Sequence, residues 1–348
     1  MKTRTLYYLL LLFFVFGFSS CKKEDTQEKT VKADVNAVLT NYARNIIVPA
    51  YIQFQSDVYM LEKAIDLYTS GDLSSLKVAY KNAYISWQAC APFDFGPAST
   101  HSLIQNINVY PVNNSTIAEN IRLETKDITP STEASSKGFG AIDTLLFTKN
   151  DLNVAEVKYL KKVIVDIKTR VDNTVKEWNQ GYADAFTANV GYGKGSSINL
   201  LMNAYIKYYE REFRTGKIGI PLGLSSSGTL QPKRVEAFYS GYSAELLKAS
   251  TQSLSSIYYG KGGLGIHYLL KSDESSINDA VLTDLDNGWN SILSRVNTIN
   301  SPVNTYIAVN KAETQKLYSD IQVQLVLLKI DVMSALSLEL IFKSGDGD

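Results

Sequence analysis

From Asn153 onward apolar side chains recur every three or four positions: Val157, Leu160, Ile164, Ile167, Val171, Val175, Trp178 and Tyr182. That spacing places them on one face of a long helix. Asn153 followed by Glu156 has the form of a capping box at its start. A second stripe, through Leu317, Ile321, Leu325, Leu328, Val332 and Ala335, predicts another long helix near the C-terminus. A third runs from Val31 to Thr69 through Val35, Val38, Tyr42, Ile46, Val58, Leu61, Ile65 and Tyr68. Pro49 lies inside it, removes a backbone donor and is expected to kink or split the helix near Val48.

Gly71 and Asp72 then stop this helix and cap the next, which carries Leu73, Leu76, Tyr80, Tyr84 and Trp87. Further helices are expected over roughly 196–215, 233–258 and 275–299, and no run of strands is apparent. Segments rich in Gly, Ser and Asn, at 189–195, 216–228 and 260–265, punctuate the helical stretches. The pattern predicts an all-α protein built of helical bundles.

The first twenty residues carry a different signal. Lys2 and Arg4 precede an apolar run, Leu6 to Phe18, too short for a settled membrane span and suited to a signal peptide. Phe18-Ser19-Ser20-Cys21 reads as a lipoprotein cleavage site, with Cys21 the acylated first residue of the mature chain. Residues 21–30, opening with Lys22-Lys23-Glu24-Asp25, have the composition of a solvated tether, and the charged cluster resembles a surface-export signal. The expected partner is therefore a membrane, and the expected location the cell envelope, lipid-anchored to the outer membrane.

With Cys21 lipidated, Cys90 has no partner in a chain of two cysteines, and its apolar context after Trp87 suits a small buried hydrophobe. A hydrophobic content of 45% supports an ordinary core, and 35 basic residues balance 35 acidic ones. Nucleic acid is excluded as a partner by the lack of any net basic footprint.

One segment carries the functional question. Lys137-Gly138-Phe139-Gly140-Ala141-Ile142-Asp143 resembles the Gly-x-His-x-x-Glu segment of the imelysin-like proteins, with Gly140 at the histidine position and Asp143 at the glutamate position. Other segments resemble the same family in order: Val48 to Tyr51, Trp87 to Ala89, Phe95 to Ala98, Asn108 to Pro111, Tyr208 to Glu210, Lys217 to Gly223, Val235 to Ser243 and Leu328 to Leu336. The resemblance implies two helical bundles over residues 31–345, with a boundary near 189–196 and a functional cleft between them. It also brings a sharp hypothesis, since imelysin-like proteins were first described as metallopeptidases and many accompany iron-uptake systems.

A catalytic zinc needs about three protein ligands, histidine prominent among them. This chain has only His101 and His267, neither in a metal-ligand spacing, and each is read as a structural side chain. No catalytic residue is assigned, and metal and cofactor stay open. Asp143, flanked by Ile142, Leu145 and Leu146, must face a cleft or be paired. Its two readings are a pocket wall and a partner for the helix N-terminus. Gly138 and Gly140 allow close backbone approach at that helix start. Tyr110 joins the candidate ligand site through its segment. Arg214 and Lys217 would hold an anionic group if their loop faces Asp143. Glu236, Tyr239, Ser240 and Ser243 would form one polar face of a helix.

The sequence thus predicts a non-catalytic ligand-binding envelope lipoprotein, possible partners being a small ligand or a metal-uptake system. The alternatives are a metallopeptidase with a degenerate metal site and a structural or adaptor lipoprotein.

Overall fold

The computed structural model describes residues 34–272 and 275–342. The signal peptide, Cys21 and the tether fall outside the described residues. Among the described residues the secondary structure is helical, with no strand, and no helix is long and apolar enough to cross a membrane.

Helix α1 spans residues 35–67 as one rod: Val35–Thr40, a wide π turn at Asn41–Ile47, then Val48–Leu67. Pro49 does not split it, since helical geometry continues through residues 47–49. The wide turn directly before the proline shifts hydrogen bonding to five-residue spacing, as in Val48 N–H to Ala43 O. A ring that would clash with an α-type carbonyl is thereby accommodated. Helix α2 (Ser74–Cys90) follows a turn at Gly71, where φ is +80°, and Asp72 accepts the Ser74 N–H at 2.8 Å.

Helix α3 (Asn114–Arg122) and helix α4 (Gly138–Phe147) precede α5 (Val154–Glu177). The capping box at the start of α5 is formed in both directions between Asn153 and Glu156. The α5 stripe was expected to reach Tyr182 unbroken. Instead Gln180 and Gly181 leave helical geometry, Gly181 at φ +127°, before a short helix Ala183–Ala188. A residue without Cβ tolerates that angle.

Helix α6 runs over 197–219, its second half the wide turn Tyr209–Gly219. Then come α7 (Ser243–Tyr259), α8 (Asp279–Thr298) and α9 over 311–335 with a π turn at Leu327–Val332. Helix α1 packs on α2 and α5; α4 packs on α5 and α2; α7 packs on both α2 and α8; α9 packs on α8 and the wide turn of α6. Buried Trp87, Trp178, Trp289 and a large set of tyrosines fill the core. Cys90 is among them, and burial pushes its thiol well above the usual range.

The expected helix over 233–258 begins ten residues late. Residues 233–242 form a run of turns, with Ala237 at φ +51° and Gly241 at +74°. The side chains at 236, 239, 240 and 243 therefore do not share a helical face.

Candidate functional site

Why the turn replaces the helix is found at Asp143. This carboxylate, 3% exposed, sits midway along α4 and accepts three hydrogen bonds from outside its helix. Tyr239 N–H donates to Oδ2 at 2.8 Å, Ser240 N–H to Oδ1 at 3.1 Å, and Tyr80 O–H to Oδ1 at 3.1 Å. Two backbone amides of the turn are thereby satisfied by one acid. Burial raises the Asp143 pKa from its usual value, and the bonds from Ser240, Tyr239 and Tyr80 oppose that rise.

Glycine geometry positions α4. Gly138 stands at φ +67°, and a Cβ there would strike the Ile107 carbonyl and lie 2.8 Å from the Asn106 oxygen. At Gly140 a Cβ would run into Val112 Cγ1 and sit 3.0 Å from the Val109 oxygen. The histidine position of the motif is therefore closed here by the segment Val109–Val112, which lies directly on the helix and contains a cis Tyr110–Pro111 bond. Phe139 stacks on Tyr84 at 4.2 Å and meets Tyr80 at 6.0 Å, fixing α4 against α2.

Between the 110–114 segment, α4 and the 233–239 turn lies a cleft of about 200 Å³, lined by Tyr110, Val112, Gly140, Asp143, Lys233 and Tyr239 among others. The structure thus brings Tyr110, Gly140 and Asp143 to one cavity. Ser240 joins through its backbone.

Beside the cleft lies a second polar cluster. Lys217 forms a buried ion pair with Glu236 and donates to Gln88 Oε1 at 2.9 Å. Glu236 Oε1 also accepts from Asn108 Nδ2 at 2.7 Å and Gln88 Nε2 at 3.3 Å, and Tyr84 O–H bonds Asn108 Oδ1. Tyr208 O–H reaches Gln88 at 3.4 Å and Ser250 at 3.0 Å. With Lys217 so committed, it offers no free charge to an anion.

Arg214 points elsewhere, to Gln322, with its guanidinium 5.9 Å from the Tyr318 ring. Ser243 accepts the Val303 N–H at 2.8 Å and so serves the short helix Val303–Val309. Gln88, Asn108, Tyr80 and Tyr84 were not named as site residues. The signal was available for two of them, as Gln88 interrupts a core-facing stripe and Asn108 opens the Asn-Val-Tyr-Pro segment.

Neither histidine touches Asp143. His101 pairs with Glu177 at 2.7 Å, and His267 with Asp286 at 3.3 Å. Among the described residues no group of three or more His, Cys, Asp or Glu side chains is gathered so as to hold a metal ion. With both Asp143 oxygens taken by three donors and no imidazole beside them, these residues do not fit a zinc or iron centre.

The fold has solved counterparts. An imelysin-like protein from Psychrobacter arcticum superposes with a TM-score of 0.70 at 20% identity, covering 90% of this chain and 100% of that one. A structure described as an iron-regulated protein A precursor from Parabacteroides distasonis gives 0.71 at 18% identity, covering 87% and 96%. In sequence, the iron-regulated protein A of Synechococcus elongatus is 22% identical over 244 residues, a match spanning 66% of this chain and 66% of that relative. The family model described as imelysin, named for a peptidase class, matches residues 47–331. On that span, and on the all-helical architecture around Asp143, this chain belongs to the imelysin family.

Proposed function

We propose that this protein is a cell-envelope lipoprotein, anchored through Cys21, that binds a small ligand in the cleft of Tyr110, Gly140 and Asp143 without hydrolysing peptide bonds. The observation that carries this reading is the commitment of Asp143 to three donors of the fold itself. A carboxylate already accepting from Tyr239, Ser240 and Tyr80 holds the 239–240 turn against α4 and so serves as a scaffold for the cleft wall. A binding cleft of this kind, between packed helices and rimmed by a few polar groups, suits a bundle fold.

The relatives named as iron-regulated proteins support a link to iron or metal uptake, with the protein serving as a binding component. The signal sequence and the Cys21 context support placement at the outer membrane.

Metal analysis of purified mature protein, before and after Asp143→Ala, tests the site. We expect no stoichiometric metal in either. Stoichiometric metal that disappears with the substitution, together with chelator-sensitive cleavage of denatured protein substrates, would replace this reading with a metallopeptidase. Labelled fatty acid incorporated into wild type and absent from Cys21→Ala would establish the anchor; equal labelling of both would remove it.

A further inference from the structure

A second cavity, of about 800 Å³, follows the trough between α1, α2 and α7 and shares no lining residue with the Asp143 cleft. Its floor is Ile46, Ala50, Ile85, Ala89, Ala249 and Ile257. The three alanines end at Cβ and so leave the trough open. The walls carry Gln53, Asn82, Ser86, Gln252, Ser253 and Ser256, all neutral side chains that both donate and accept. The lining holds two charges, Asp57 and Lys261. Gln53 Nε2 donates to Asp57 at 3.2 Å to each oxygen, and among the described residues neither Asp57 nor Lys261 makes an ion pair.

The two charges stand at opposite ends. From Ile46 to Asp57 the groove follows α1 for about 16 Å at the helical rise. Lys261 comes just after the C-terminal end of α7, which is tied to the Ile46 end of the groove: Tyr42 O–H bonds the Ile257 carbonyl, and Asn41 Nδ2 bonds the Gly260 carbonyl at 3.0 Å. Asp57 and Asn82 also line the next hollow along α1 and α2, toward Met60 and Leu67, and Lys261 does not. Lys261 is held at φ +54° with its N–H on the Ser256 carbonyl at 2.7 Å, which fixes where its side chain leaves the end of α7.

We propose that this groove binds a short extended peptide with free ends, its ammonium at Asp57 and its carboxylate at Lys261. At about 3.3 Å per residue a 16 Å span takes roughly five residues. Each peptide unit presents one N–H and one C=O, which the amides and hydroxyls of the walls can meet in either role. A simple anion or cation would leave one end of the groove unmatched, and the lining has no aromatic ring for a flat ligand to stack on. The small side chains of the floor suit a peptide of small residues.

Isothermal titration calorimetry of the mature protein tests this with penta-alanine, its N-acetyl and C-amide forms, and dialanine. Saturable binding of free penta-alanine is the expected result. Each blocked end should weaken it at least about threefold, the scale of an exposed ion pair, and dialanine, too short to reach both ends, should bind more weakly still. Asp57→Asn should weaken the free peptide by the same factor yet leave the N-acetyl form unchanged, and Lys261→Met should do the same for the C-amide form. The blocked peptides read the same two charges without any substitution, so a poorly folding variant leaves the test intact. No saturable binding, equal affinity for free and blocked peptides, or binding that both substitutions leave unchanged would each overturn the inference, and none of these outcomes bears on the Asp143 cleft.

Discussion

Restoring a side chain at position 140 is the most direct perturbation of this cleft. Two opposing magnitudes bear on Gly140→Ala. Replacing glycine by alanine in a helix interior gains about 0.5–1 kcal/mol. Against this, the new Cβ would collide with Val112 Cγ1 and press to 3.0 Å from the Val109 carbonyl. Valine is stiff at χ1 and cannot swing away cheaply, and overpacking of this kind costs about 1–3 kcal/mol. The net expectation is a destabilisation of about 1–2 kcal/mol for Gly140→Ala, and more for Gly140→His, whose ring must also displace Val112.

Urea unfolding measures it. A Gly140→Ala/Val112→Ala double variant supplies the control, because removing Cγ1 removes the collision. The double-mutant cycle should show a favourable coupling of about 1 kcal/mol between the two sites. If Gly140→Ala or Gly140→His proves as stable as wild type, or if Val112→Ala adds its cost without any coupling, then the 109–112 segment does not close this position and the argument fails.

Truncating Asp143 to alanine orphans the Tyr239 and Ser240 amides, at about 1–3 kcal/mol per donor, whereas asparagine keeps one acceptor; proteolysis within 233–242 should rise accordingly, Ala above Asn above wild type. Breaking the buried pair with Lys217→Met strands Glu236 and should cost about 3–5 kcal/mol, while Lys217→Met with Glu236→Leu should recover most of it, read by urea midpoint. Glu212 has a pKa raised by burial, so the folded state holds its proton more tightly than the unfolded chain. Its penalty is absent below the unfolded carboxylate pKa and develops fully as pH rises past the folded value. Glu212→Gln should therefore raise the melting temperature at pH 7 relative to pH 4; an equal effect at both would contradict the assignment.

The long helices were legible because their apolar spacing is nearly all the information a bundle helix needs. The capping box at Asn153 and the stop at Gly71 were visible for the same reason: each is a local device. What sequence spacing could not reveal is where a distant acceptor overrules it. Residues 233–242 carry helical periodicity, yet two of their amides bond a carboxylate on α4, 96 and 97 residues earlier. Likewise Arg214 and Lys217 are neighbours in sequence, but one meets Gln322 and the other Glu236. Gly140 was read as a lost imidazole; the packed Val109–Val112 segment explains its small size without any ligand, which only the tertiary contact discloses.

The widened turns at Asn41–Ile47, Tyr209–Gly219 and Leu327–Val332 each behave as an extra residue spliced into a rod. Downstream of each, the greasy seam is offset by one sequence position while the same side stays turned inward, as with Tyr42 and Ile46 before and Tyr51, Phe54 and Val58 after. When this chain is threaded onto cousins lacking such a splice, the single-position gap belongs inside the rod rather than in a neighbouring loop. Excising one residue there should restore α-type bonding and leave the far half still facing the core.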